Sequence, residues 1–142
     1  YPGLNIRNTD INAVIGLSQI KRIDKNIKSR NDNYELYCSL LDGKVWIQKS
    51  NIDIVSSLSF GMIDKNKKQI TDELVKNNIE CRPLICGSIQ EQPFWYERYA
   101  SRNLPVAKLV HEFGFYVPCH QNLTTEQIKL ITKIILKNKG GL

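Results

Sequence analysis

Residues 11–41, INAVIGLSQIKRIDKNIKSRNDNYELYCSLL, contain no proline, and this run constrains the fold more than any other stretch. Gly16, Ile20, Ile23, Ile27, Tyr34, Cys38 and Leu41 recur at spacings of three, four or seven residues, which marks one face of a helix. Lys21, Asp24, Lys25, Lys28 and Asp32 fall on the opposite face. Asn8 or Thr9 offers an N-cap, and Asp10 sits in the positively polarised first turn. The pattern predicts a long helix over about 9–41, roughly 45 Å in length at a rise of 1.5 Å per residue. A compact domain of this size needs no such length internally. Either the helix bends near SRNDN, or it projects and packs on something outside the chain. Its first turns, INAVIGL, are apolar on more than one side, which favours the second reading.

With 142 residues the chain suffices for one domain with a real hydrophobic core, not for two. Hydrophobic residues make up 42% and charged residues 24%, the balance of a water-soluble globular domain. A net charge of +6 permits an anionic partner such as a phosphate, a nucleotide or a nucleic acid. The lysines are scattered over solvated helix faces, with no basic stripe interleaved with aromatics, so nucleic acid is not the expected partner. No apolar run is long enough to span a bilayer and no signal peptide opens the chain, so no membrane association and a cytoplasmic location are expected. The first residue is Tyr1 rather than Met, which fits a processed terminus and a cut from something longer equally well.

Four cysteines, Cys38, Cys81, Cys86 and Cys119, form no C-x-x-C pair, and His111 and His120 lack ligand spacing. No metal site is expected. Cys38 and Cys81 read as small buried apolar residues, in keeping with a reducing compartment.

Beyond the long helix, DGKVWIQKS turns into a strand and DIVSSLSFGMID reads as a second, with Val55, Leu58 and Phe60 as its apolar residues. DKNKKQITDELVKNNIE is a short amphipathic helix presenting Ile70, Leu74 and Val75. IECRPLI is a third strand. LPVAKLVHEFG is a helix with Pro105 in its first turn and Gly114 as its stop, followed by a fourth strand, GFYVPCH. LTTEQIKLITKIILKNKGGL closes the chain as a helix with a capping box, Thr124 to Gln127, and a staple, Leu123 to Ile128. The expected class is α+β: a small, mostly antiparallel sheet with helices on one face, preceded by the long N-terminal helix.

Phosphate-binding glycine loops, nucleophile elbows and zinc-protease motifs are all missing. Cys119 and His120 are adjacent on a strand and would point apart, so they make a poor catalytic dyad. Two segments remain. In GLNIRNTD, Asn5 and Arg7 precede a helix start two residues apart. They suit an anion site, but satisfying local backbone and surface charge is the simpler account of them. In ECRPLICGSIQEQPFW, Arg82 closes a strand, Pro83 stiffens its exit, Gly87 permits an unusual turn, and Pro93, Phe94, Trp95 and Tyr96 make an apolar surface. That surface either faces a ligand or folds over the chain's own core.

The stretch GLNIRNTDINAVIGLSQI resembles the G-x-N-x-R-x-[ST]-D-[IL]-x-A-x-x-G-L-x-Q-[IL] pattern of the DegT/StrS family, pyridoxal-phosphate-dependent nucleotide-sugar aminotransferases of fold type I. RPLICGSIQEQPFW is similar to that family's substrate-side loop. It is closer to the branch with GDP-4-keto-6-deoxymannose 3-dehydratases than to the His-Pro type of loop. LPVAKLVHEFGFYVPCHQNLTTEQI resembles the family's ending, and the likeness covers essentially the whole chain. It implies that residues 1–142 are a single C-terminal small domain, with a linking segment over 1–10, and that the cofactor-binding large domain is missing. The residue at the cofactor's carbonyl carbon would lie outside the chain: lysine there implies an aminotransferase, histidine a 3-dehydratase. No catalytic residue is therefore expected within the chain, and none of the activity in isolation. The resemblance further implies that Asn5 donates to the pyridoxal phosphate of a neighbouring subunit in a homodimer. Arg7 would lie near the nucleotide-sugar phosphates or the dimer seam. Arg82 would organise the substrate side, with Gly87 and Ser88 giving backbone approach and Trp95 a wall. The implied pathway class is deoxy- and amino-sugar biosynthesis of the lipopolysaccharide O-antigen type. A freestanding, non-catalytic dimerisation module derived from the same domain is the alternative.

Overall fold

A computed structural model describes residues 8–84, 87–100 and 102–141. Asn5, Arg7 and Cys86, singled out above, lie outside the described residues. A four-stranded sheet organises the domain: β1 (Trp46–Ile47), β2 (Ser59–Ile63), β3 (Arg82–Pro83) and β4 (Gly114–Pro118), in the order β1-β2-β4-β3. Every pairing is antiparallel. The central ladder joins β2 to β4 from Ser59↔Pro118 to Ile63↔Gly114. Strand alternation then sends Phe60, Met62, Phe115 and Val117 to one face, where all four are buried.

Three helices cover that face: α2 (Ile23–Leu41), α3 (Lys67–Lys76) and α6 (Thr125–Asn138). Tyr37 and Leu41 of α2, Ile70 and Leu74 of α3, and Ile128, Ile131 and Ile135 of α6 join the strand residues in one cluster. Fully burying each such side chain contributes about 1.5–3 kcal/mol. Tyr37 is the member that the helical stripe at 34, 38 and 41 leaves out, although it lies three residues after Tyr34 and four before Leu41. The structure resolves this: Tyr37 donates to the Pro118 carbonyl at 2.9 Å while its ring stacks 4.8 Å from Phe60. Val75, expected on the buried face of α3, is instead exposed, one position past the Ile70–Leu74 pair that carries the packing.

The long helix predicted over 9–41 is two helices. α1 (Asp10–Ile20) begins at Thr9, whose hydroxyl accepts the Asn12 N–H at 3.3 Å. It ends as the Arg22 N–H reaches back to the Gln19 carbonyl, and Arg22, at φ −118° and ψ 1°, leaves the helical conformation. The interruption lies well before SRNDN, and neither proline nor glycine causes it. It falls where packing changes. No residue of α1 is buried, and Ile11, Val14, Leu17 and Ile20 are all more than 60% exposed, whereas α2 runs under the cover of α6. Among the described residues, no buried side chain of α1 holds it to the axis of α2.

The remaining elements follow their local signals. β2 is shorter than DIVSSLSFGMID suggested, because Val55 and Leu58 precede the ladder. A 3-10 turn (Ile89–Glu91) and a single helical turn, α4 (Pro93–Tyr96), lead to α5 (Pro105–Phe113). Gly114 ends α5 as expected, but at φ −81° and ψ 135° it is already extended. A side chain there would run into the Val110 carbonyl and Leu84, so close approach rather than handedness requires the glycine. The capping box of α6 forms in full between Thr124 and Gln127.

Asp64, directly after β2, is fully buried and clips the end of the chain. Its Oδ1 accepts the Asn66 N–H at 2.8 Å and the Gly140 N–H at 2.9 Å, and its Oδ2 accepts the Gly141 N–H at 3.1 Å. Asn66 adds a bond from its amide to the Asn138 carbonyl. Substituting Asp64→Ala removes the acceptor of three backbone donors and is expected to cost roughly 2–4 kcal/mol, read as a lower denaturant midpoint with an unchanged slope.

Candidate functional site

The sheet face away from α2, α3 and α6 carries Ser59, Gly61 and Tyr116, with the buried Ile63 at the end of β2. Gly61 of β2, Tyr116 of β4 and Arg82 of β3 lie in one row across it, since Tyr116 pairs with both Gly61 and Arg82. Gly61 leaves this row open: a side chain there would meet only Leu84, at ordinary contact distance. A cleft of about 430 Å³ opens beside the row, lined by Leu58, Ser59, Arg82, Tyr116, Pro118 and His120, with Glu80 and Cys81 at its margin. Cys119 is buried in the core cluster while its neighbour His120 lines the cleft, so the two do not form a dyad.

Arg82 is exposed, and its guanidinium bonds to the Glu80 carboxylate through Nε at 2.8 Å and Nη2 at 2.6 Å. The Glu80 hydrogen bond, followed by its charge, raises the Arg82 pKa above its already high ordinary value, so the guanidinium stays charged within its pair with Glu80. A solvent-exposed pair of this kind contributes little to stability and exchanges readily for another anion. The lysine nearest the loop behaves differently. Burial lowers the pKa of Lys67, which donates to the backbone carbonyls of His111 and Glu112 at 3.4 and 3.2 Å and so serves the end of α5 rather than the cleft.

Gly87 and Ser88 pack against α5, at a distance along the chain from the Arg82 row. Gly87 has φ +47°, a conformation that suits glycine, and the His111 ring fills the space a side chain would need. The Ser88 N–H donates to His111 Nδ1 at 3.3 Å. Ser88 is 2% exposed and its hydroxyl has no hydrogen-bond partner among the described residues. Farther on, the Gln90 amide brackets Arg102: its nitrogen donates to the Arg102 carbonyl at 2.6 Å, and its oxygen accepts the Arg102 N–H at 3.1 Å. Trp95 is half-buried against Tyr99, with ring centroids 4.6 Å apart, while Phe94, Tyr96 and Tyr99 are exposed. Trp95 therefore walls the aromatic segment and is not among the residues lining the Arg82 cleft. Sequence reasoning missed Tyr116 and Gln90, and it named His111 and His120 only to set them aside as metal ligands and, for His120, as a dyad partner of Cys119. Strand alternation places Tyr116 and Pro118 on one face, but nothing local in the sequence aligns Gly61 or Arg82 with them.

The sequence model of the DegT/DnrJ/EryC1/StrS aminotransferase family matches residues 1–136. The chain belongs to this family. Among DegT/DnrJ/EryC1/StrS relatives, it is 32% identical to an Escherichia coli dTDP-4-amino-4,6-dideoxy-D-glucose transaminase, over 95% of this chain and 39% of that protein. It is 27% identical to a GDP-4-keto-6-deoxy-D-mannose 3-dehydratase of Yersinia pseudotuberculosis, over 96% of this chain and 37% of that one. The chain thus spans less than two-fifths of the length of these relatives. A DegT/DnrJ/EryC1/StrS aminotransferase from Brucella abortus superposes with a TM-score of 0.85 at 16% identity, covering 97% of this chain and 38% of that structure. The E. coli GDP-4-keto-6-deoxy-D-mannose-3-dehydratase with bound hydrated PLP superposes with a TM-score of 0.80 at 23% identity, covering 94% and 37%. These likenesses establish the α+β fold, with helices on one face of the antiparallel sheet, as the fold of part of a DegT/DnrJ/EryC1/StrS protein.

The described residues do not by themselves assemble a pyridoxal-phosphate site. Arg82 is the cation in the cleft and it is already paired with Glu80, while Lys67 is committed to backbone carbonyls. Among the described residues no cluster of His, Cys, Asp and Glu suits a metal ion, and no helix is long and apolar enough to cross a membrane.

Burial pushes the Cys119 thiol up from its ordinary 9.0 to about 11. The folded pKa is raised, so the stabilisation is fully present below pH 9 and is lost as pH rises toward 11. The loss is roughly 2–3 kcal/mol at about 1.4 kcal/mol per pKa unit. Chemical denaturation between pH 9 and 11 is expected to show this decline, with a shallower decline in Cys119→Ala.

Proposed function

We propose that this chain is the substrate-side domain of a pyridoxal-phosphate-dependent nucleotide-sugar enzyme, an aminotransferase or a 4-keto-6-deoxysugar 3-dehydratase, acting in amino- or deoxy-sugar biosynthesis. The observation that carries this reading is the family match over residues 1–136, joined to a sheet whose bare face holds an exposed arginine. The relatives include both a transaminase and a 3-dehydratase, so both reactions stay within the proposal. Pyridoxal phosphate, when bound, supplies an electron sink for the bond changes at the sugar carbon.

This chain's own part is binding and orientation. Arg82 offers a fixed charge to an anionic group of the nucleotide sugar and can trade Glu80 for it. Gly87 brings backbone close to the ligand, Ser88 sits in the sealed turn behind it, and Trp95 backs the aromatic segment against the sugar. Asn5 donates to the phosphate of pyridoxal phosphate across a homodimer seam, with Arg7 near the nucleotide phosphates. The exposed apolar face of α1 suits coverage by the remainder of a longer protein, whose relatives are more than twice this length. That favours the enzyme-domain reading over a freestanding module.

Two substitutions in the full-length gene product test the assignments separately. Arg82→Ala is expected to raise the KM for the nucleotide sugar about tenfold to a hundredfold with cofactor affinity unchanged, the loss of one charged hydrogen-bonding partner. An unchanged KM removes Arg82 from the substrate side. Asn5→Ala is expected to weaken pyridoxal-phosphate binding by about tenfold in a spectroscopic titration. Unaltered affinity removes the phosphate role, and a wild-type protein that binds no pyridoxal phosphate overturns the whole reading.

A further inference from the structure

We infer that His111 is a positioning residue for the substrate-side segment, holding Gly87 and Ser88 in the one backbone arrangement that presents Ile89–Tyr99. The inference rests on the proposed reading of that segment and adds the residue that fixes its geometry.

Three features converge on the imidazole. Its Nδ1 accepts the Ser88 N–H at 3.3 Å, which requires the ring proton to sit on Nε2. Its ring fills the space beside Gly87, so the left-handed turn at φ +47° and the absence of a side chain are both matched to it. Ser88 is 2% exposed, and among the described residues its hydroxyl has no partner while its backbone N–H meets His111, so the backbone makes the polar anchor of this sealed residue.

The anchor matters because of what hangs from it. Immediately after Ser88 the chain enters the 3-10 turn, with the Glu91 N–H bonded to the Ser88 carbonyl at 3.1 Å. The Gln90 amide then ties the turn to the Arg102 backbone. His111 secures the entry to the aromatic segment, and Gln90 ties that turn to the chain beyond it. His111 is itself held by the sheet. α5 passes without a loop into β4 at Gly114, and Tyr116, two residues on, lines the Arg82 cleft. The imidazole therefore fixes the turn that leads into the aromatic segment relative to the strand that carries the cleft. Its position on α5 is otherwise exposed and makes no demand of its own for a ring.

The test uses the full-length gene product as wild type and as His111→Ala, His111→Asn and His111→Gln. The Asn amide oxygen falls near the place of Nδ1 and can accept the same N–H; the Gln oxygen reaches instead toward the place of Nε2. Two readings are taken: hydrogen exchange of the Ser88 amide, and KM and kcat for the nucleotide sugar. His111→Ala and His111→Gln are expected to speed Ser88 exchange about tenfold and to raise KM by about five- to thirtyfold, with kcat within about twofold. His111→Asn is expected to restore both. A merely structural histidine would not distinguish Asn from Gln or spare kcat. The inference is overturned if His111→Ala leaves Ser88 exchange unchanged, or if exchange quickens while KM stays put. A wild type that binds no nucleotide sugar overturns the functional reading and this inference together, whereas a wild type that turns it over with KM unmoved in His111→Ala overturns this inference alone.

Discussion

The antiparallel ladder between β2 and β4 sets the geometry on which everything else in this domain depends. Because side chains alternate across a strand, its register sends Phe60, Met62, Phe115 and Val117 under the helices and leaves Ser59, Gly61 and Tyr116 on the other side. A slip of one residue would exchange the two sets. It would bury a tyrosine and a glycine against isoleucines and expose two phenylalanines. The core residues of α2, α3 and α6 hold the ladder in that register from one side only. The Tyr37 hydroxyl, bonded to the Pro118 carbonyl at the end of β4, pins the same register by a polar contact.

One-sided coverage divides the labour within the chain. Stability resides on the helix side, where the isoleucines of α6 meet the strands. The other side presents a cleft in which Arg82, Tyr116 and His120 stand beside Leu58 and Pro118.

Much of the fold was legible because its signals are local. The capping box at Thr124, the proline opening α5 and the glycine ending it each fix a boundary by chemistry within a turn of the chain. The break at Lys21–Arg22 was not legible, since neither residue interrupts a helix and the cause is the change of packing partner along the run. Tyr37 was missed because the stripe was drawn through 34, 38 and 41, and the tertiary packing that selects 37 and 41 instead is not a local signal. In the candidate site, Arg82, Gly87 and Trp95 stood out as types in unusual company. Their partners did not, because Tyr116 and His111 reach them through sheet pairing and through a helix more than twenty residues away in sequence. Glycine at position 87 could be read as a turn, but its positive φ and the imidazole beside it, which together admit no side chain, could not.

The two outer strands have a consequence for how the molecule meets others of its kind. β1 and β3 are each two residues long, and β3 ends in a proline that has no N–H to offer a further strand. Arg82, the other residue of β3, places a charge along the same rim. A short, charged and proline-bearing border makes β3 a poor template for lateral growth, and β1 offers a two-residue edge only. A domain with an entire bare helix and a cluster of open aromatics would otherwise invite fibrous stacking. Here association is steered to side-chain surfaces, where shape and chemistry discriminate between partners, and away from the backbone, where any extended chain would serve.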